Sequence, residues 1–290
     1  MTEKMNVKNL EKSYKVELIL KNILVYGFLG IMAIIVVVPF YWMIISALKT
    51  QAETEMIPPT LFPQLLNFQN FPNAMMQADF ARYIYNTIFV GVVSTVGTVV
   101  TTIFAAFAFA RLEFKGKNIL FTLFLATMMI PGEMMVITNY ITVARLGWID
   151  TYQALIIPFV VSVFYIYLLR QNFKQIPNEL YLAAKVDGTG DFKYLLRVMV
   201  PIAMPTIISI TILKLIGSWN AYIWPNLVAD SDSMRLITNG LRKAFTDDQG
   251  RSQIHLQMAA TTVVTVPLLL VFLFLRKYIM QGVSRSGIKG

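Results

Sequence analysis

The chain has 290 residues, of which 56% are hydrophobic and 14% charged, with a net charge of +9 and a mean hydropathy of +0.60. A soluble domain of this length carries far more charge, so the composition makes the bilayer its solvent. With no cysteine and one histidine, disulfides, thiol chemistry and Cys- or His-cluster metal sites are excluded, and the basic residues are scattered between apolar runs instead of forming a nucleic-acid footprint.

Four uncharged runs, 22–48, 83–110, 151–169 and 252–275, reach about the ~20 residues that a helix needs to cross the hydrocarbon core. Two more, 118–144 and 198–229, contain one ionisable residue each, Glu133 and Lys214. The expectation is an all-α integral membrane protein of six spans, with both termini on one side. The first run follows a polar segment, is too long for the apolar region of a signal peptide and lacks a small-x-small site at its end, so it is expected to be a retained span. Lysine and arginine number five in 1–21, three in 111–117, five in 170–197 and four after 275, against seven on the opposite face. The positive-inside rule therefore puts both termini and the 170–197 loop in the cytoplasm. The organisation expected is a cytoplasmic tail over 1–21, a permeating domain over 22–280 with a docking loop at 175–198, and a second cytoplasmic tail over 281–290.

Within the spans, Gly91, Gly97, Ala105, Ala106 and Ala108 read as surfaces for close helix packing. A lysine at the centre of a span costs roughly 2.5–3.5 kcal/mol, so Glu133 and Lys214 are candidates to face a cavity. Snorkelling or residence at a span end stays equally open, and Glu133 follows Pro131-Gly132, a helix-breaking pair. Trp219, Asn220, Tyr222, Trp224 and Asn226 offer stacking and hydrogen-bonding groups suited to sugar rings; for Trp224, beside Pro225, an interfacial aromatic belt is the competing reading. His255, at the start of the last span, reads as an interfacial residue.

The 175–198 loop is the most specific segment. Pro177 and Asn178 are helix-start residues, and Glu179 falls in the first turn, where the helix dipole favours a carboxylate. Leu180, Ala183, Ala184 and Asp187 recur at i, i+3, i+4 and i+7 and define a small, nearly flat face. Gly188 and Gly190 bracket a turn, and Asp191 is placed to cap a second amphipathic helix carrying Phe192, Leu195 and Leu196 against Lys193 and Arg197. Pro201 and Pro205 mark the start of the fifth span. Periodicity alone suits a helix on lipid headgroups as well as one in a protein groove. Paired alanines before Asp-Gly favour the groove, because they offer little apolar area and allow close approach.

These residues resemble the EAA loop of ABC importer permeases: a Pro-x-Glu-Leu lead, Glu-Ala-Ala, two variable residues, Asp-Gly, and prolines at the next span. The chain departs from that pattern at Leu182, where the family has its glutamate. From about Val38 to Gly290 it is most similar to the maltose-type carbohydrate uptake class. The similarity is carried by Ser46-Ala47-Leu48-Lys49, Asn86-Thr87, Ala108-Phe109-Ala110-Arg111 with Phe114 and Gly116, Trp219-Asn220, and the run from Gln281 to Gly290. The resemblance implies a type I ABC importer permease fold in a bacterial or archaeal cytoplasmic membrane, importing a sugar or oligosaccharide. It implies a second permease, two ATPase subunits that carry ATP and Mg, and an extracytoplasmic solute-binding protein received by the outer loops 49–82 and 225–251. It assigns coupling to Glu179, Leu182, Ala183, Ala184, Asp187 and Gly188, and a further ATPase contact to Gly282, Gly287, Lys289 and Gly290.

Gly116-Lys117 lacks both the upstream glycine and the following Ser or Thr of a Walker A loop, so no ATP site, catalytic residue or metal site is expected in this chain. The rival reading is an ion-gradient-driven secondary transporter, which needs an inverted repeat and acidic ligands at midplane; no repeat is evident and Glu133 is the one acidic residue within a span. An intramembrane enzyme lacks any Ser/His, His-Glu or paired-carboxylate arrangement in the spans.

Overall fold

A computed structural model describes residues 2–245 and 252–284, and these contain helices and no β-strand. The chain divides into two units, one of residues 1–74 with 252–262 and the other of 75–251 with 263–290. Among the described residues five helices are long and apolar enough to cross a membrane, and a sixth crossing is available if a bent pair counts as one.

In the first unit, α1 (Thr2–Ala47) is a single unbroken helix, so the polar residues before Asn22 continue directly into the apolar run. Side chains from Leu18 to Val38 are exposed on every face, as suits a helix solvated by lipid. A polar knot follows. Thr50 caps α2 (Gln51–Thr54) by accepting from the Glu53 N–H. The Glu53 carboxylate accepts from the Thr60 hydroxyl at 2.7 Å and the Gln64 N–H at 2.9 Å. Asn70 donates to the carbonyls of Ala47 and Lys49, and the Lys49 ammonium lies buried over the Trp42 ring. The buried polar groups of Lys49, Glu53 and Asn70 thus find partners within this loop, and α3 (Asn70–Met76) leads out.

The second unit is organised around α4 (Phe80–Arg111), which packs on α8 (Val163–Gln175) and α11 (Val200–Trp219). Its main core joins Ala106 and Phe107 of α4, Leu169 and Phe173 of α8, and Met199 and Ile210. The expected crossing at 118–144 is not a straight rod. The helix α5 (Lys117–Thr127) stops, a 3-10 turn covers Gly132–Met135, and α6 (Val136–Arg145) leaves at 87°. Pro131 lacks an N–H and clashes with the preceding turn, which ends α5 and puts Glu133 in the break.

The fourth expected span is broken too. The short α7 (Tyr152–Ile156) passes through a 3-10 turn at Ile157–Phe159, containing Pro158, before α8 begins. The carbonyls released at Phe159 and Val160 are taken up by the hydroxyls of Thr98, at 2.8 Å, and Thr101, at 2.6 Å. Polar side chains of a neighbouring helix thus satisfy backbone that lipid could not. Approach here is close: a Cβ on Gly97 would lie 3.0 Å from Val160.

After α9 (Asn178–Val186) and the glycine turn, α10 (Asp191–Tyr194) runs through a π-helical turn at Leu195–Met199 straight into α11. Pro201 cannot donate to Arg197, which accounts for the widened turn. The expected run 198–229 accordingly starts earlier, at Asp191, and stops at Trp219. The rest of it forms the separate short α12 (Ile223–Val228), followed by α13 (Ile237–Ala244). The last helix is α14 (Ile254–Ser284).

Candidate functional sites: an exposed helical turn and an internal cavity

The end of α8 is fixed by exchanged arginines. The Arg111 guanidinium, at the C-terminus of α4, donates to the carbonyls of Phe173, at 3.0 Å, and Ile176. Arg170 of α8 donates in return to the carbonyl of Phe109 at 3.1 Å. Each cation satisfies orphan carbonyls at the other helix's C-terminus. This sets the direction in which the chain enters α9.

The α9 helix rests on the core through Tyr181 and Ala184. Its opposite face is open. Glu179, Leu182, Ala183 and Val186, at i, i+3, i+4 and i+7, are all exposed, Leu182 at 56% and Val186 at 87%. The face expected from the sequence was 180, 183, 184 and 187. Of these Ala184 turns inward, while Leu180, Ala183 and Asp187 are exposed. Of the exposed stripe, Glu179, Leu182 and Ala183 are among the residues that the resemblance assigned, whereas Val186 was not named; periodicity picked the other face because it does not say which side the core occupies.

The turn closes as a Schellman motif: the Gly188 N–H donates to the Lys185 carbonyl at 3.0 Å and the Thr189 N–H to that of Ala184 at 2.8 Å. Gly188 has φ +71°, in the left-handed region; Gly190, expected to share that role, has φ −68°. Asp191 is not the cap it was expected to be, since Gly190 precedes the helix. Instead its carboxylate accepts from the Tyr181 hydroxyl at 2.7 Å and pairs with Lys185 at 2.6 Å, bracing α9 against α10. The hydrogen bond to Asp191 holds the Lys185 ammonium above its usual pKa, and burial with the same carboxylate raises that of Tyr181. At neutral pH Lys185 is therefore the charged ammonium and Tyr181 the neutral, donating hydroxyl.

The second feature is a cavity of about 330 Å³ within the second unit, between α4, the α7–α8 break and α11. Lys214 lines it, with its ammonium 5.5 Å from the Phe159 ring centroid and no ion pair among the described residues. Ser94, Ser162, Tyr165 and Ser218 add polar groups, none of them found from the sequence. Trp224 is a wall, not a belt residue: it is 8% exposed, and its indole N–H donates to the Ala154 carbonyl at 2.9 Å.

The remaining sequence candidates do not gather here. Trp219 lines a separate, smaller apolar recess with Gly91 and Pro267. Tyr222 is half-buried and accepts from Arg242 at 2.6 Å, while Glu133, Asn220 and Asn226 are exposed. Of the C-terminal residues, Gly282 falls in α14, and Gly287, Lys289 and Gly290 lie outside the described residues. The Asn86-Thr87 pair has a clear structural task. Asn86 is wholly buried, donates to the carbonyls of Ser233 and Arg235, and accepts from Tyr152 at 2.7 Å, while Thr87 accepts from the Ile237 N–H.

Residues 98–285 match the family of binding-protein-dependent transport system inner membrane components. The chain is 30% identical over 272 residues to the inner membrane ABC transporter permease protein YcjP of Escherichia coli, covering 91% of this chain and 95% of that one. It is 27% identical to the arabinooligosaccharides transport system permease protein AraQ of Bacillus subtilis, over 91% and 94% of the two chains. Among solved structures it resembles a chain of a bacterial ABC transporter that imports the acidic polysaccharide alginate, with a TM-score of 0.79, 22% identity, and coverage of 89% and 95%.

Proposed function

The chain belongs to the family of binding-protein-dependent transport system inner membrane components, and on that premise we propose that it forms half of the translocation path of an ATP-driven carbohydrate importer. In this reading a second permease completes the path, two ATPase subunits supply ATP and Mg, and an extracytoplasmic binding protein delivers the sugar. Both termini and the α9 turn are cytoplasmic, in keeping with the distribution of lysine and arginine.

One observation carries the mechanical part: α10, the π turn and α11 are one helix from Asp191 to Trp219, joined to α9 through a braced glycine turn. A push on the exposed stripe at Glu179, Leu182, Ala183 and Val186 is passed through the Tyr181–Asp191–Lys185 brace into a helix that lines the cavity at Lys214. Ala184 seats α9 on the core, Asp187 ends it and Gly188 sets the angle. Leu182 makes the stripe more apolar than a glutamate would, so the matching ATPase groove is expected to be apolar there. The tail residues Gly282, Gly287, Lys289 and Gly290 add a second ATPase contact. Lys214, Trp224 and Tyr165 offer the sugar a hydrogen-bond donor and aromatic faces. Glu133, Trp219, Asn220, Tyr222 and Asn226 are kept as path residues only where a second permease or a different transport state brings them to the cavity.

The test is to purify the tagged chain from its native membrane in mild detergent and identify its companions by mass spectrometry. An ATPase with a Walker A loop and a second permease are expected. A chain that emerges alone, with transport driven by an ion gradient, overturns the reading. Ala183→Cys, in a chain with no native cysteine, should then crosslink to a cysteine placed in the ATPase cleft, with a yield that changes on adding ATP.

A further inference from the structure

A basic pocket of about 400 Å³ opens where α4 ends, α5 begins and α8 ends. It is formed within the second unit and shares no residue with the cavity at Lys214 or the exposed stripe of α9. Arg170, Lys174 and Lys117 line it with Gly116 and Asn118. The one lining carboxylate, Glu113, is paired to Lys117 at 3.1 Å, and Lys117 also donates to the Leu112 carbonyl at 2.7 Å. That leaves Arg170 and Lys174 uncompensated. Arg170 is only 7% exposed; its guanidinium lies 3.7 Å from the Phe121 ring centroid and its Nε donates to Phe109, which leaves the Nη groups with no protein hydrogen bond among the described residues. Gly116, at φ +81°, gives α5 no side-chain cap; the Lys117 N–H donates to the Phe114 carbonyl, and the N–H groups of Asn118 and Ile119 at the start of this 11-residue helix add to the positive field.

A buried arginine with free donors, a second unpaired cation and an uncapped helix start define a site for a phosphate-like anion. What surrounds it identifies the source. The pocket sits at the level where three apolar helices end, and α5 leads away from it with Ile119 and Leu123, four residues apart on one face, 69% and 57% exposed. An anion site continuous with an outward apolar strip matches a phospholipid, with the phosphate in the pocket and acyl chains along α5. We infer that the pocket bounded by Arg170, Lys174 and Lys117 binds the headgroup of an anionic phospholipid, which fills the gap between α5 and the ends of α4 and α8. This holds whether or not the importer reading is correct.

The full-length chain, with whatever subunits accompany it, is exchanged into detergent with phosphatidylglycerol or phosphatidylcholine, and bound lipid is counted by native mass spectrometry. Retention of phosphatidylglycerol over phosphatidylcholine is expected, about fivefold weaker in Lys174→Gln, as for loss of one interfacial cation. Lys193→Gln, which removes an exposed cation outside the pocket, should leave retention unchanged. Ile119→Gln with Leu123→Gln should weaken retention, whereas millimolar inorganic phosphate should not displace the lipid. Three results overturn the proposal: equal retention of the two lipids, equal effects of the two lysine variants, or displacement by phosphate with no effect of the α5 variants. The last would assign the pocket to a free anion.

Discussion

Gly188 gives the sharpest test of how α9 is held. A Cβ there would meet no atom of this chain within 4 Å, so alanine introduces no packing clash within the chain and its effect comes from φ +71°. For an L-residue the left-handed conformation costs roughly 1–2 kcal/mol, and more for a β-branched side chain. That corresponds to about a 5–30-fold shift in population away from the native turn. Gly190 is the internal control: its Cβ is equally unhindered, but at φ −68° alanine is at no disadvantage. Coupling is measured as substrate imported per ATP hydrolysed by the purified complex in proteoliposomes. Gly188→Val should lower that ratio strongly, Gly188→Ala by several-fold, and Gly190→Ala not at all. Gly188→Asn should retain most of it, because asparagine tolerates the left-handed region. Normal coupling in Gly188→Val, or equal damage from both alanine substitutions, would refute the argument that backbone conformation at this turn directs the thrust.

Further outcomes follow from the same geometry. Tyr181→Phe removes one donor to Asp191 and should destabilise the α9–α10 brace by about 0.5–1.5 kcal/mol, read as faster hydrogen exchange in 178–194 with the rest of the chain unchanged. Thr98→Val leaves the Phe159 carbonyl unpaired beside the α7–α8 break; a loss of about 1–3 kcal/mol should appear as a lower midpoint of thermal unfolding in detergent, and an unchanged midpoint would mean that lipid or water satisfies the group. Asp150 has its pKa lowered: burial opposes this, but hydrogen bonds from Ser231 and the Asp230 backbone, with Arg235 nearby, outweigh it. Its stabilisation is therefore complete above the unfolded carboxyl pKa and is lost as pH falls through the folded one. The acid-side decline in thermal midpoint should be smaller in Asp150→Asn than in the native chain.

Much of the architecture was legible as hydropathy. Runs such as 83–110 and 252–275 announce helices because in lipid every backbone group must be paired within the segment, and the α9 helix with its glycine turn could be read because proline, acidic first turn and glycine each have a local conformational cause. Where the chain departs from straight helices, hydropathy was silent. The break at Pro131 could be suspected from the residue itself, but the 87° bend and the hydroxyl repair at Thr98 and Thr101 depend on what lies alongside. The candidate sites divide in the same way. Lys214 stood out as a charge in an apolar run, whereas Ser94, Tyr165, Ser162 and Ser218 are unremarkable in sequence and become neighbours only when α4, α8 and α11 pack.

The sequence by itself determined that this is a helical membrane protein with a short polar-loop helix closed by a glycine turn, since transfer energies and left-handed glycine are properties of local residues. Tertiary structure decided which side of α9 is free, that Asp191 is a brace and not a cap, and that Arg111 and Arg170 each complete the other's helix. Those outcomes depend on which groups meet across tens of residues, and no local preference encodes a meeting of that kind.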